Sequence, residues 1–361
     1  MTDIGDRDDT FDRPGPMRAG EELNRATLEP FLRGQFPNEH GYIEFAQYPA
    51  GHSNLTYSVK FGARELVLRR PPFGSKVKSA HDMSREYRVL SKLHAAYPPA
   101  PEVLLYCDDE SVLGAPFYLM EPVHGIILRR DPPAAMEFSP DQARLLSEAL
   151  VANLVELHRL DYAAIGLAGL GNPDGYVERQ VKGWSERYYS SMTHGHAEVE
   201  ELVSWMAQLR PTSGSASLIH NDYKFDNVVL DPREPAKIVG LLDWEMCTIG
   251  DPLADLGTML AYWVEEPDAA ELKAVRWGPT NFPGSLRRRE IVDLYGNLTG
   301  RDTSAMAFYL VLARFKLAVI VQQIYYRYHQ GLTKDPRFAR MHELVRILLQ
   351  AAMRCAETGE I

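Results

Sequence analysis

Asp222, Asn227 and Asp243 are three hard-oxygen side chains at spacings that let them meet. They lie in residues 217–256, which read SLIHNDYKFDNVVL, a short turn, then KIVGLLDWEMCTIGDPLADL. Two apolar runs, 228–230 and 238–242, flank Asp231-Pro232-Arg233-Glu234-Pro235, a pattern that predicts a β-hairpin. Asp222 and Asn227 precede its first strand and Asp243 ends its second. A hairpin brings its outer ends together, so the three should converge. Such a set suits phosphoryl transfer from a metal-bound nucleotide. Asp222 would orient an attacking hydroxyl and accept its proton. Asn227 and Asp243 would be the Mg²⁺ ligands.

The offset has a precedent. His220-Asn221-Asp222, four residues, then Asn227 resembles the catalytic loop of kinases. So short a pattern also fits a plain polar loop. Leu242-Asp243-Trp244-Glu245 at hairpin spacing, followed by Gly250-Asp251-Pro252-Leu253-Ala254-Asp255-Leu256, weighs against the plain loop. Together these motifs resemble the aminoglycoside phosphotransferase family of kinase-like small-molecule kinases. They are more similar still to the branch related to the kinase-like domains of acyl-CoA dehydrogenase-linked proteins. The resemblance implies an α+β, two-lobed protein-kinase-like fold, with a small N-terminal β-sheet lobe and a larger, mainly helical C-terminal lobe. The expected divisions are a disordered arm over 1–19, a nucleotide-binding lobe over 20–123 that ends in the hinge, and a catalytic and acceptor-binding lobe over 124–361.

The first lobe must position the nucleotide. A helix is expected from Glu21, with Leu23, Ala26, Leu28, Phe31 and Leu32 as its apolar face and Pro30 within it. Strands are expected over 43–48, 55–61 and 65–69. The resemblance implies that the turn 49–54 covers the phosphates, with Gly51, Ser53 and Asn54 matching; by its residues alone it is an ordinary hairpin loop. The third strand carries Arg69 where protein kinases carry lysine, and arginine forks onto two phosphate oxygens. Arg70 would serve only after a one-residue slip, which points it to the opposite face. A helix over 79–97 presents Glu86, either as the partner of Arg69 or as a solvated side chain. Strands over 103–107 and 116–120 lead into Glu121-Pro122-Val123-His124-Gly125. The resemblance makes this the hinge, with the backbone of Glu121 and Val123 bonding adenine and Met120 lining the pocket. Pro122 has no N–H, which leaves Val123 as the donor.

The second lobe should open with a helix from Ser139-Pro140-Asp141-Gln142 to His158, capped by Ser139. His158 reads as a packing or capping residue. Trp184, Tyr188, Tyr189 and Trp205 read as core before acceptor wall. Asp251 caps the helix that runs through Trp263. The resemblance implies that Asp255 holds the catalytic loop; the alternative is a helix-start charge favoured by the dipole. Glu265, Glu266 and Asp268 form either a pocket for a polycationic acceptor or a solvated loop, the latter preferred. Arg287-Arg288-Arg289 reads as a surface patch.

Composition sets limits. Apolar residues make up 45% and charged residues 24%, ordinary for a globular protein. The net charge of −10 argues against a nucleic-acid partner. Cys107, Cys247 and Cys355 are scattered and show no zinc spacing. There is no 18-residue apolar run, and the start of the chain is polar and acidic. The expectation is a cytoplasmic enzyme with no membrane or nucleic-acid partner, no obligatory protein partner, ATP and Mg²⁺ as cofactors, and a small-molecule hydroxyl acceptor. The family relation admits an aminoglycoside or a hydroxyacyl-CoA. Six residues separate Trp244 from Asp251, too few for the activation segment of a protein kinase. A nucleotide-binding pseudokinase or scaffold is the alternative, supported by Arg69 in place of lysine.

Overall fold

The computed structural model describes residues 13–49, 54–73, 82–130, 136, 138–212, 214–333 and 335–361, and every structural statement concerns these. The elements begin with α1 (Arg25–Gln35), β1 (Ile43–Gln47), β2 (Leu55–Phe61), β3 (Arg64–Arg70), α2 (Met83–Leu93), β4 (Val103–Cys107), α3 (Glu110–Leu113), β5 (Phe117–Met120) and β6 (Ile126–Ile127). Next come α4 (Pro140–His158), α5 (Tyr176–Ser191), α6 (Ala197–Gln208), β7 (Ser217–Ile219), β8 (Val228–Leu230), β9 (Ile238–Leu241) and β10 (Thr248–Gly250). The chain ends with α7 (Pro252–Tyr262), α8 (Ala270–Ala274), α9 (Arg288–Thr299), α10 (Met306–His329) and α11 (Met341–Thr358). Two compact units emerge, Met1–Ile127 with Val228–Glu245, and Leu128–Asn227 with Met246–Ile361.

In the first unit an antiparallel sheet runs β1-β2-β3-β5-β4. Its inward face carries Tyr57, Val59, Phe61, Leu66, Leu68, Phe117 and Leu119, which pack on Leu28 and Leu32 of α1. α1 starts later than Glu21 because the Asn24 side chain accepts the Ala26 N–H and caps it there. The expected arm over 1–19 gives way to ordered chain by residue 13: Gly15 and Gln47 exchange backbone hydrogen bonds of 2.8 Å, and Met17 packs on the core. The register pairs Arg69 with Thr56 and with Tyr118, which sets Arg69 in mid-sheet.

The hairpin β8–β9 was expected with the catalytic lobe but belongs to the first unit. β6 pairs with β8, and the Leu241 N–H bonds the Pro99 carbonyl at 2.8 Å. Gly240 makes this packing possible, because a Cβ there would stand 2.5 Å from Val123 Cγ1.

In the second unit α10 is the central helix. It is buried almost all round among α5, α7 and α11, which explains its long apolar sequence. It is long and apolar enough to cross a membrane, yet most of that stretch is buried inside the protein. β7 and β10 pair in a short ribbon, Ser217 opposite Gly250, that leads straight into His220. The α4 start is as expected, with Ser139 and Gln142 capping each other. Two expectations fail together. Arg288 is buried, not a surface charge, and it pairs with Asp268 at 2.7 Å and Glu265 at 3.5 Å. Those acids are therefore not solvated, and Glu266 alone of the three stays open.

Substitution of Gly240→Val should destabilise the protein by about 1–3 kcal/mol through overpacking against Val123 and Val229. Thermal unfolding is the check; an unchanged midpoint would mean that the 123–127 segment does not rest on the hairpin.

Candidate active site

The catalytic-loop residues lie in the second unit. His220 is fully buried, and Asn221 takes a left-handed backbone with φ 66°. That conformation costs about 1 kcal/mol or more for a residue with a Cβ, and Asn is among those that tolerate it. Asp222 follows. Its Oδ2 accepts from Lys224 Nζ at 2.8 Å and from Asn227 Nδ2 at 2.9 Å. Its Oδ1 accepts from the Tyr262 hydroxyl at 2.7 Å. Burial pushes the Asp222 pKa up, but Lys224 and these donors outweigh it and hold the carboxyl below its usual range. Asp222 is thus an anion with a fixed rotamer, and Asn227 is brought to it.

Asp255, in the first turn of α7, anchors the loop. Its carboxylate accepts the His220 N–H and the Asn221 N–H, each at 2.7 Å. His158 Nε2 stands 3.2 Å away. A carboxylate can only accept, so that nitrogen donates, and His158 Nδ1 is left to accept from the Tyr295 hydroxyl at 2.9 Å. Burial would raise the Asp255 pKa; hydrogen bonding and charge from His158 and His220 win and depress it. His158 is therefore a buried support, as its apolar surroundings suggested. Lys316 of α10 donates to the Asn221 carbonyl at 2.7 Å.

The nucleotide-side residues lie in the first unit. Arg69 Nη2 reaches Asp243 Oδ1 at 2.5 Å, and Arg69 Nε stands 3.1 Å from Glu86 Oε2. Arg69 therefore makes the expected ion pair with the α2 glutamate. Burial acts to lower the Arg69 pKa, but Glu86 and Asp243 hold it well above the ordinary value. Asp243 has φ 68°, a second left-handed polar residue, and the next N–H, of Trp244, bonds Glu86 Oε1 at 3.2 Å. Asn54 is buried and donates to Glu245 Oε2 at 2.6 Å, so it holds Glu245. Val228, the residue after Asn227, pairs with Leu241, two residues before Asp243.

Along the hinge, Met120 is buried and the Glu121 N–H is used by the Glu102 carbonyl at 2.8 Å. The Glu121 side chain pairs with Arg64 at 2.6 Å. Ser53 lies outside the described residues. Arg70 faces away from Arg69 and stacks on Phe73, which settles the register.

The donors present fit a nucleotide and Mg²⁺. Arg69 Nε and Glu86 Oε2 are buried and stand 3.1 Å apart as an ion pair, which keeps the guanidinium charged and fixed beside Asp243. Mg²⁺ is held by one or two protein oxygens plus phosphates and waters, which suits a carboxylate and an amide, not a dense protein cage. No group of three or more His, Cys, Asp or Glu able to hold a metal occurs among the described residues.

Sequence reasoning passed over Lys224, Tyr262, Glu245 and Lys316. Only Lys224, two residues beyond Asp222, had a local signal. Lys224 and Tyr262 also line an apolar pocket with Phe225, Met259, Trp263 and Trp277.

Substituting Asp255→Asn puts an amide nitrogen where an N–H needs an acceptor. We expect a loss of about 2 kcal/mol or more at pH 7. A depressed carboxyl stabilises the fold fully above its unfolded pKa of about 4 and loses that contribution as pH falls through the lower folded value. The gap between wild type and variant in thermal midpoint should therefore begin to narrow below about pH 4 and go on narrowing as the pH falls. A gap that stays constant from about pH 5 down to the lowest pH at which both proteins remain folded would mean that Asp255 acts through shape alone.

The comparisons with known proteins agree with this architecture. The profile described as the phosphotransferase enzyme family matches residues 44–290. Acyl-CoA dehydrogenase family member 11 of Gallus gallus is 36% identical over 87% of this chain, and the match covers 41% of that relative, so the chain spans about two fifths of its length. A solved protein of Ralstonia eutropha, provisionally described as an aminoglycoside phosphotransferase, is 27% identical with a TM-score of 0.78 over 93% of this chain and 99% of its own. Aminoglycoside 2'-phosphotransferase-IIIa, solved as its GDP complex, shares the fold at 15% identity, with a TM-score of 0.60 over 93% of this chain and 100% of its own. The fold is the kinase-like one of small-molecule kinases, and the chain belongs to the phosphotransferase enzyme family.

Proposed function

We propose that this protein transfers the γ-phosphoryl group of ATP to the hydroxyl of a small molecule. The observation that carries the reading is Asp222, a half-buried carboxylate kept anionic and fixed in orientation by Lys224, Asn227 and Tyr262. Asp222 aligns the acceptor hydroxyl and takes its proton as the oxygen attacks phosphorus. Arg69 supplies positive charge to the phosphates, and the backbone of Glu121 and Val123 takes the base. Asn227 and Asp243 would hold Mg²⁺, which when bound neutralises charge on the phosphates. Lys224 adds a cation beside Asp222.

For the acceptor we favour a hydroxyacyl-CoA over an aminoglycoside. A polycation needs free acids, and Glu265 and Asp268 are consumed by Arg288. The relatives named as acyl-CoA dehydrogenase family members point the same way.

The test is ADP or GDP release from Mg-ATP or Mg-GTP, with kanamycin, choline and a hydroxyacyl-CoA as acceptors. We expect stimulation by the hydroxyacyl-CoA and loss of about 10²–10⁴-fold in kcat in Asp222→Asn. Stimulation by kanamycin alone would overturn the acceptor assignment, and an unimpaired Asp222→Asn would overturn the base. Asp243→Asn should raise the half-saturating Mg²⁺ concentration by about tenfold or more; an unchanged Mg²⁺ titration would remove Asp243 from the metal site.

A further inference from the structure

Lys316 is one of two buried cations in its helix; the other, Arg314, donates to the Ala351 carbonyl at 2.9 Å. α10 is apolar around Lys316, with Phe315 and Leu317 buried on either side, and Lys316 itself is 6% exposed. A buried ammonium costs several kcal/mol unless it is compensated. Packing of α10 against its neighbours gives no reason for a cation there. The compensation lies at one end only: Nζ donates to the Asn221 carbonyl at 2.7 Å. On the α5 side it meets the Trp184 ring, 6.0 Å from the centroid.

Asn221 is the residue that needs holding. It is the left-handed residue that turns the chain from His220 into Asp222, and every polar group it has is taken. Its N–H goes to Asp255 at 2.7 Å, its Oδ1 accepts from Tyr176 at 3.1 Å, and its Nδ2 donates to the Met246 carbonyl at 3.1 Å. Lys316 closes the set at the carbonyl. Four segments distant in sequence thus converge on one residue with φ 66°. Such a clamp fixes the peptide that precedes Asp222, and with it the direction of that carboxylate.

We infer that Lys316 is a positioning residue for the loop that carries Asp222, holding the Asn221 carbonyl so that the loop keeps its left-handed turn. This rests on the reading of Asp222 as the base that takes the acceptor proton. Lys316 contributes charge as well as a hydrogen bond. The charged groups that act on it are Asp222 and Lys224 of the loop and Asp255 of α7. Burial draws its pKa down to about 8, the two carboxylates draw it back up, and Lys224 opposes them.

The experiment compares wild type, Lys316→Met, Lys316→Gln and Asp222→Asn in the full chain. The readouts are ADP release from Mg-ATP with water as acceptor and hydrogen exchange over residues 217–227. Lys316→Met should lower kcat by about 10²-fold, with KM for ATP within about twofold, because the base is misaimed while the nucleotide contacts are untouched. Exchange at 220–222 should rise in parallel, and that readout needs no turnover. Lys316→Gln retains a donor and loses the charge, so it should keep most of kcat. A folded Lys316→Met with wild-type exchange and wild-type kcat overturns the inference. So does the loss of cooperative unfolding in both Lys316 variants, since the residue would then serve the fold and not the loop. Asp222→Asn separates the two levels. If it is as active as wild type, the base assignment falls and this inference with it. If it is inactive while Lys316→Met is unaffected, this inference alone falls.

Discussion

The buried carboxylate of Asp255 is the constraint on which the second unit's chemistry depends. Two consecutive N–H groups, of His220 and Asn221, point at it. Consecutive N–H groups converge on one anion only where the backbone turns sharply, and here the turn is Asn221 with φ 66°. The strain at Asn221 and the charge on Asp255 thus support each other. Without the strained turn the carboxylate would lack donors, and without the carboxylate nothing would hold the turn. The position of Asp255 in the first turn of α7 adds the favourable end of the helix dipole. His158 and Tyr295 extend the network to α4 and α9, so the loop is tied to three helices.

The first unit meets the same problem with different chemistry. Asp243 is also left-handed, and the following N–H, of Trp244, is again received by a buried carboxylate, Glu86. Here the carboxylate is offset by an arginine. Glu86 is 2% exposed, and an unpaired charge at that depth would not persist. Arg69 stands beside it and beside Asp243. Asn54 and Arg85 then fix Glu245, by its side chain and its carbonyl. Strained polar residues clustered at a loop are a common mark of functional sites. Two of them, one immediately before the motif carboxylate Asp222 and the other the motif carboxylate Asp243 itself, are hard to account for by folding needs alone.

Much of this was legible because its signals are local. The α4 capping box, the Asp251-Pro252 start of α7, the alternation in β2 and β3 and the hairpin turn each lie within a few residues. The His-x-Asp and Leu-Asp-Trp-Glu motifs are equally compact. What escaped was set by distant partners. Arg288 looks like one of three surface arginines until Asp268, twenty residues earlier, packs on it. β6, β7 and β10 are two or three residues long, too short for any periodicity, and exist because a neighbouring strand pairs with them. Lys316 reads as one of a few polar residues on a mainly apolar helix; its meaning comes from a carbonyl 95 residues away. The hairpin's membership of the first unit likewise rests on β6 and Pro99, which no local pattern reveals.

Arginine at position 69 is consistent with this electrostatic setting and is not a weakened lysine. The residue has to serve carboxylates in two directions: Glu86 through Nε and Asp243 through Nη2, with Glu245 at 3.8 Å beyond. A planar fork with donors on separate nitrogens can address both from one rotamer, whereas an ammonium is a single point that must choose. The ammonium is also more strongly hydrated, so burying it at this depth would cost more. The guanidinium stays charged at any pH at which the protein is folded, so the cluster keeps its cation whether or not a carboxylate is drawn off by another ligand.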